Sequence, residues 1–222
     1  MHRNEYNIPA SAVLDAYRKG LFPMAENANS KEIYWIEPKK RGVFFFDKIR
    51  VPRKLKKIIK NKIFNVAIDN DFEAVIEHCA KKTENRKDTW INNTIKKIYI
   101  ELHNLGCAHS VECYFENELV GGLYGIEIGG TFFGESMFSK VSNSSKVALI
   151  HLIERLIKGG FDFLDTQFIN EHLKQFGAVE LSNDEFKKIL TKSVTNKADF
   201  FSFSPKGYLP DNLYPNSNSF LL

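Results

Sequence analysis

The chain has 222 residues, 43% of them hydrophobic, and 31 Lys and Arg against 27 Asp and Glu give a formal net charge of +4. This composition excludes a disordered tail and a globally polycationic nucleic-acid binder, so any affinity for nucleic acid must come from local clustering. Three cysteines (Cys79, Cys107, Cys113) without CxxC spacing argue against zinc and against a secreted disulfide framework. The polar N-terminus and the lack of an apolar run of ~18 residues argue against a signal peptide and a membrane span, which leaves a cytoplasmic protein as the expectation.

In chain order, residues 8–19 read as a short helix with Val13, Leu14 and Tyr17 as its apolar stripe and Gly20 as its stop. Leu21, Phe22 and Pro23 read as a break, Tyr34-Trp35-Ile36 as a brief extended piece, and Lys39, Lys40 and Arg41 as a small basic patch. Trp35 by itself reads first as a core residue, since large aromatics usually serve packing. Residues 51–62, VPRKLKKIIKNK, predict a helix with Leu55, Ile58 and Ile59 inward and a cationic face of Arg53, Lys54, Lys56, Lys57 and Lys60 without a single acid. That face is either a solvated surface or a phosphate-binding one. A further amphipathic helix is expected over 71–82, followed by the polar loop KKTENRKDT, and Trp90 stands before Asn92, Asn93 and Thr94, natural caps for a helix that Gly106 closes.

The second half predicts a meander of strands over 110–115, 119–128 and 131–138, with turns at Glu116-Asn117 and Gly129-Gly130. Asn143 is expected to cap a helix over 146–158, residues 161–168 to form a strand, 171–176 a short helix, and Ser182 with Glu185 a capping box opening a last helix. The tail beyond 191 reads as polar and loosely attached toward its end. A composition shift near Cys107 suggests a short N-terminal segment at 1–50, a basic helical region at 51–106 and a mixed α/β core at 107–222.

Strand period puts Glu135 on one face with Phe133 and Met137, and Asp165 and Gln167 together beside Phe161 and Phe163. These three are the residue types that amide formation from an activated ester requires. In that chemistry Gln167 can orient or polarise the reacting groups, Asp165 can tune Gln167 or receive a proton through it, and Glu135 can hold a cationic amine. A satisfied buried polar cluster is the alternative. Gly121, Gly122 and Gly125 suggest close approach of something to the sheet. His78, His103, His109, His151 and His172 have no metal-binding spacing, and there is no GxSxG elbow, P-loop or dinucleotide fingerprint.

The segments AYRKGLFPMAE, YWIEPKKRG, TWI, LHNLGCAHSVE, ELVGGLYGIEIGGTFFGESMFSKVSNSSK and DTQFINEH together resemble the leucyl/phenylalanyl-tRNA-protein transferase family across nearly the whole chain. GESMFS followed by NxSK and then DxQxxNxH is the most specific part. The resemblance implies a small N-terminal domain and a GCN5-related acetyltransferase-like C-terminal domain that uses no acetyl-CoA, an α+β arrangement. It implies transfer of Leu or Phe, less often Met, from aminoacyl-tRNA to proteins beginning with Arg or Lys, marking them for proteolysis. Carried over by motif, Asp165 and Gln167 are the catalytic relay, Glu135 is the accompanying carboxylate, and Trp35 and Trp90 contact the 3′-terminal adenosine. Leu123, Met137, Leu152, Leu156 and Leu164 would line the pocket for the transferred side chain. Arg53, Lys56, Lys57 and Lys60 would grip tRNA phosphates, and the Gly121–Gly125 glycines would make room for the aminoacyl end. No metal or cofactor is implied, and a monomer is the family expectation. The chain departs from many members in lacking an upstream GLLAxGGDL-type segment, in Ile36 and in Gln175-Phe176-Gly177. Rival readings are a CoA-dependent acetyltransferase, for which 139–146 lacks the pyrophosphate loop, and a non-catalytic RNA-binding module.

Overall fold

The computed structural model describes residues 8–83, 87–210 and Leu213. The first seven residues, the middle of the KKTENRKDT loop and the Asn- and Ser-rich end of the tail lie outside the described residues. Helix α1 (Ala10–Arg18) buries Val13 and Tyr17 and is followed by Gly20 at φ +83°. The expected break at 21–23 is instead strand β1 (Phe22–Met24), paired antiparallel with β2 (Tyr34–Ile36). Pro23 is tolerated because each strand of a two-stranded ribbon has an open edge. β3 (Lys40–Phe45), α2 (Arg53–Lys60) and β4 (Asn65–Ile68) follow. α2 buries Leu55 and Ile59 and leaves Arg53, Lys57 and Lys60 exposed. The Asp71 carboxylate accepts from the Ala74 N–H to cap α3 (Phe72–Ala80), and the Asn92 side chain accepts from Ile95 N–H to cap α4 (Asn93–Asn104).

The meander appears as β5 (Ala108–Phe115), β6 (Glu118–Ile128) and β7 (Thr131–Ser139). Glu116 and Asn117 both take positive φ in the first turn, the geometry that matches the twist of a hairpin. α5 (Ser144–Lys158) returns the chain to β8 (Phe163–Gln167). Asn143 does not cap α5 with its side chain. It sits in the left-handed region at φ +73°, and Ser144, whose Oγ lies 2.8 Å from the Val141 carbonyl oxygen, is already helical. α6 (Glu171–Gln175), β9 (Val179–Ser182), α7 (Asn183–Ser193) and β10 (Gly207–Tyr208) complete the described elements, and both halves of the Ser182–Glu185 capping box are formed.

Among the described residues one eight-stranded sheet runs in the order β10-β4-β5-β6-β7-β8-β3-β9, and only the β7–β8 pair is parallel. Strands β3, β4, β9 and β10 have no sequence-based counterpart: they are short, and no turn motif brackets them. β3 and β4, from residues before Cys107, thus share a sheet with the meander. One face is covered by α2 and α5 through Leu55, Ile59, Leu149, Leu152 and Leu156, and the other by α1, α3, α4 and α7 through Tyr17, Phe72, Tyr99 and Phe186. No helix among the described residues is long and apolar enough to cross a membrane.

Candidate active site

β7 and β8 pair only from Thr131 to Phe133 against Phe163 to Asp165, and beyond that point they no longer bond to each other. A cavity of about 260 Å³ opens between them. Leu123, Met137, Leu152 and Leu164 line it, together with Leu149, Glu135, Thr166 and Phe168. Leu156 does not reach it. One turn further along α5 than Leu152, Leu156 is fully buried in the core, and Leu149 on the turn before is the α5 residue that joins Leu152.

Glu135 owes its position to a β-bulge. Tyr124 pairs with Ser136 but Gly125 pairs with Gly134, so Glu135 is the extra residue. The inserted residue reverses the alternation: Phe133 packs in the core beside α1 and α4, whereas Met137 lies against the α5 side. Phe133 and Met137 therefore do not share a face with Glu135 between them. Gly125 permits this register because a Cβ there would sit 2.3 Å from the Phe133 carbonyl oxygen and 2.4 Å from the Phe132 ring. Gly121 lies against Ser144 at the start of α5, where a Cβ would be 2.1 Å from the hydroxyl, and Gly122 faces the Val111 carbonyl and the Phe138 ring. The space at these three glycines is thus filled by the protein's own atoms, and among glycines only Gly134 lines the cavity.

Side chains from three elements, α1, α4 and β8, converge on Glu135. Its Oε1 accepts from the Tyr17 hydroxyl at 2.7 Å and from Gln167 Nε2 at 3.1 Å, and its Oε2 from the Tyr99 hydroxyl at 2.8 Å. The two phenolic oxygens are themselves 2.5 Å apart. Burial, above all, pushes the Glu135 carboxyl up to about 7, with the two tyrosine donors opposing and nearby Asp165 adding to the rise. Burial and the adjacent carboxylate raise both phenols well above their usual range, so they stay protonated.

Asp165 is fully buried and is held by Arg41, not by the Gln167 side chain. Arg41 Nε lies 2.9 and 3.1 Å from its two oxygens and Nη2 lies 2.6 Å from Oδ2, while the backbone N–H of Gln167 donates to Oδ1 at 2.9 Å. Three N–H donors, the Nε–H shared between both oxygens, thus engage the carboxylate and hold it in place. Gln167, at φ +53°, leaves the extended path of β8, and its amide reaches Glu135. A non-glycine residue in the left-handed region is strained and persists only where its surroundings hold it.

Arg41 does not belong to the small basic patch read over Lys39, Lys40 and Arg41. It is 1% exposed, its guanidinium lies between the Phe22 and Phe186 rings, and Nη1 donates to the Gly20 carbonyl. A buried charge requires a partner, and the buried Asp165 is that partner. Tyr17 and Tyr99 were legible only as members of apolar helix faces, because a phenol counts as hydrophobic until a carboxylate is brought to it.

Trp35 is opposite Pro23 in the β1–β2 ribbon, and Ala25 N–H donates to the Trp90 carbonyl, so one short segment supports both tryptophans. Trp35 is 38% exposed, unlike a core tryptophan. Phe22 of the same ribbon meets Phe168 edge to face, and Phe168, half exposed, borders the cavity. α2, which carries Arg53, Lys56, Lys57 and Lys60, packs on α5, the helix that supplies Leu149 and Leu152 to the cavity. Among the described residues no group of three or more His, Cys, Asp or Glu side chains is placed to hold a metal ion.

A family model described as leucyl/phenylalanyl-tRNA protein transferase matches residues 43–191, and one described as the N-terminal domain of that family matches residues 7–39. The leucyl/phenylalanyl-tRNA–protein transferase of Zymomonas mobilis is 52% identical over 184 residues, 83% of this chain and 69% of the relative. Those of Nitrobacter winogradskyi and Caulobacter vibrioides are 47% and 44% identical over 193 and 192 residues, which cover 87% and 86% of this chain and 86% and 88% of the relatives. On this extent of match, spanning β3 to α7 and the Glu135, Asp165 and Gln167 strands, the chain belongs to the leucyl/phenylalanyl-tRNA protein transferase family.

Proposed function

We infer that the protein transfers Leu or Phe, less often Met, from aminoacyl-tRNA to the α-amine of proteins that begin with Arg or Lys, forming a peptide bond that marks them for N-degron proteolysis. The observation that carries this reading is the leucine- and methionine-lined cavity with the Glu135–Gln167 pair at its edge. An unbranched-at-Cβ side chain such as Leu, Met or Phe enters such a slot, and Val and Ile are rejected by shape at their β-carbon. The ester linking the amino acid to tRNA is already activated, so positioning and proton transfer suffice and no cofactor is required. With its NH₂ donated to Glu135, the Gln167 amide has its carbonyl left to orient the acceptor amine, while Arg41 and Asp165 fix the backbone from which Gln167 projects.

Trp35 and Trp90 supply stacking surfaces for the terminal adenosine, and the cationic face of α2 supplies phosphate contacts along the acceptor stem. The parting of parallel β7 and β8 around the cavity supports a GCN5-related acetyltransferase-like architecture, here accepting an aminoacyl end in place of acetyl-CoA. A cytoplasmic monomer completes the reading. The test is incubation with radiolabelled Leu-tRNA or Phe-tRNA and a peptide beginning with Arg or Lys. Label should enter the peptide and should be lost in Gln167→Ala; an unlabelled peptide, or full labelling by Gln167→Ala, contradicts the assignment.

A further inference from the structure

Tyr17, Tyr99 and Glu135 form a closed ring of three short oxygen–oxygen contacts, 2.5, 2.7 and 2.8 Å long. Each contact needs one proton between its oxygens. Two phenols bring two protons, so with an ionised Glu135 one contact, in effect that between the phenols, has none. The ring is complete only when a third proton arrives. Of the other groups near Glu135, Asp165 is engaged by Arg41 and by the Gln167 backbone N–H, and the Gln167 side chain donates to Glu135.

We propose that Glu135, with Tyr17 and Tyr99 as its positioning residues, is the base that takes the proton from the acceptor's α-ammonium. This rests on the function inferred above and identifies the proton's destination within it. The ammonium gives one proton to Glu135, directly or through one water, and becomes a neutral amine. Its lone pair attacks the ester carbonyl carbon, and the carbon–nitrogen bond forms. As the carbon–oxygen bond to the ribose breaks, the ribose oxygen leaves with the second proton from that nitrogen. The products are the amide, a free ribose hydroxyl and a neutral Glu135 whose proton closes the ring and then passes to solvent. Burial supports this assignment by keeping the carboxyl's proton affinity near that of neutral solution, where a base works best. Partners separate Glu135 from Asp165, which shares the site but is paired with the Arg41 guanidinium through both oxygens.

The test is the pH dependence of single-turnover transfer from Phe-tRNA to an Arg-initiated peptide. The acceptor amine ionises near ~8 whatever the enzyme, so the diagnostic quantity is the shift between variants. Tyr17→Phe and Tyr99→Phe each remove a donor to the anionic carboxylate and should move the acid limb to higher pH by about one unit. Glu135→Gln should lose the enzyme's own limb and about 10²-fold or more of the rate. An acid limb that stays in place in both tyrosine variants, or a near-normal rate in Glu135→Gln, overturns the proposal. Should the tyrosine variants fail to fold, carboxyl ¹³C NMR of the intact enzyme decides, with the Glu135 signal identified by its loss in Glu135→Gln: titration near 7 supports the assignment and titration near ~4.3 refutes it. Absence of any transfer by the unaltered enzyme would instead remove the functional reading itself and the proposal with it.

Discussion

Arg41 and Asp165 form a two-pronged ion pair that is 1% and 0% exposed, built across the antiparallel contact of β3 with β8. Removing one member leaves the other charged and buried, a loss of about 3–5 kcal/mol. Arg41→Ala should therefore lower the urea midpoint by a large fraction of the total stability. Arg41→Lys should recover little of it, because an ammonium cannot reproduce the fork that engages both oxygens and the Gly20 carbonyl. A Lys variant as stable as the original would contradict the role given to the fork.

The bulge at Glu135 depends on Gly125. Gly125→Ala brings a methyl group to 2.3 Å from the Phe133 carbonyl oxygen, a backbone atom that cannot turn aside. The strand pair must shift, at a cost of about 1–3 kcal/mol, and Glu135 moves with it. Transfer activity should fall further than this loss of stability explains, which activity measured well below the melting temperature would reveal; normal activity would sever the bulge from the site.

Neutralising Lys56, Lys57 and Lys60 together should weaken tRNA binding and flatten its dependence on salt, by about 0.7–0.9 in the log–log slope for each phosphate no longer neutralised. Titrations over a range of KCl concentrations measure this directly. A uniform drop in affinity with the slope unchanged would place the phosphates elsewhere.

Two carboxyls, the buried Glu112 and the partly buried Glu135, tie stability to pH. Burial pushes Glu112 and Glu135 each up to about 7, above the ~4.3 of an unfolded chain. The folded protein therefore holds more protons than the unfolded one between these values, and stability falls as pH rises through that window. The contribution is complete below about pH 4 and gone above about pH 7. Thermal melts at pH 5.5 and 8 should show the decline, and Glu112→Gln with Glu135→Gln should flatten it. A decline left unchanged in the double variant would assign it to other groups.

How far the site could be read from the sequence depends on how local its causes are. The meander, its turns, α3, α4 and the Ser182 capping box are set by neighbours within a few residues, and they lie where residue spacing puts them. Glu135 was visible as an acid among apolar residues, but not the bulge that turns Met137 to the opposite side, because pairing register is fixed by the partner strand. The Gly121–Gly125 glycines signal close approach correctly, but the protein's own atoms, not the aminoacyl end expected from the resemblance, fill the space, since an absent side chain does not say what takes its place. Arg41 shows the limit most clearly: beside two exposed lysines it looks like surface, and only its partner strand reveals the buried carboxylate waiting for it.

That partner is 124 residues away, and β3 lies between β8 and β9, both encoded far downstream. A ribosome adding about 5–20 residues per second exposes Arg41 for roughly ten seconds before Asp165 exists. The segment that carries β3 must wait through that interval with a strand and a cation unmatched, so the sheet closes and the site becomes competent only after β8 and β9 have been made. A chain truncated before β8 would keep the meander but expose the apolar strand GVFF, and chaperone capture of such nascent chains would register how long that strand stays open.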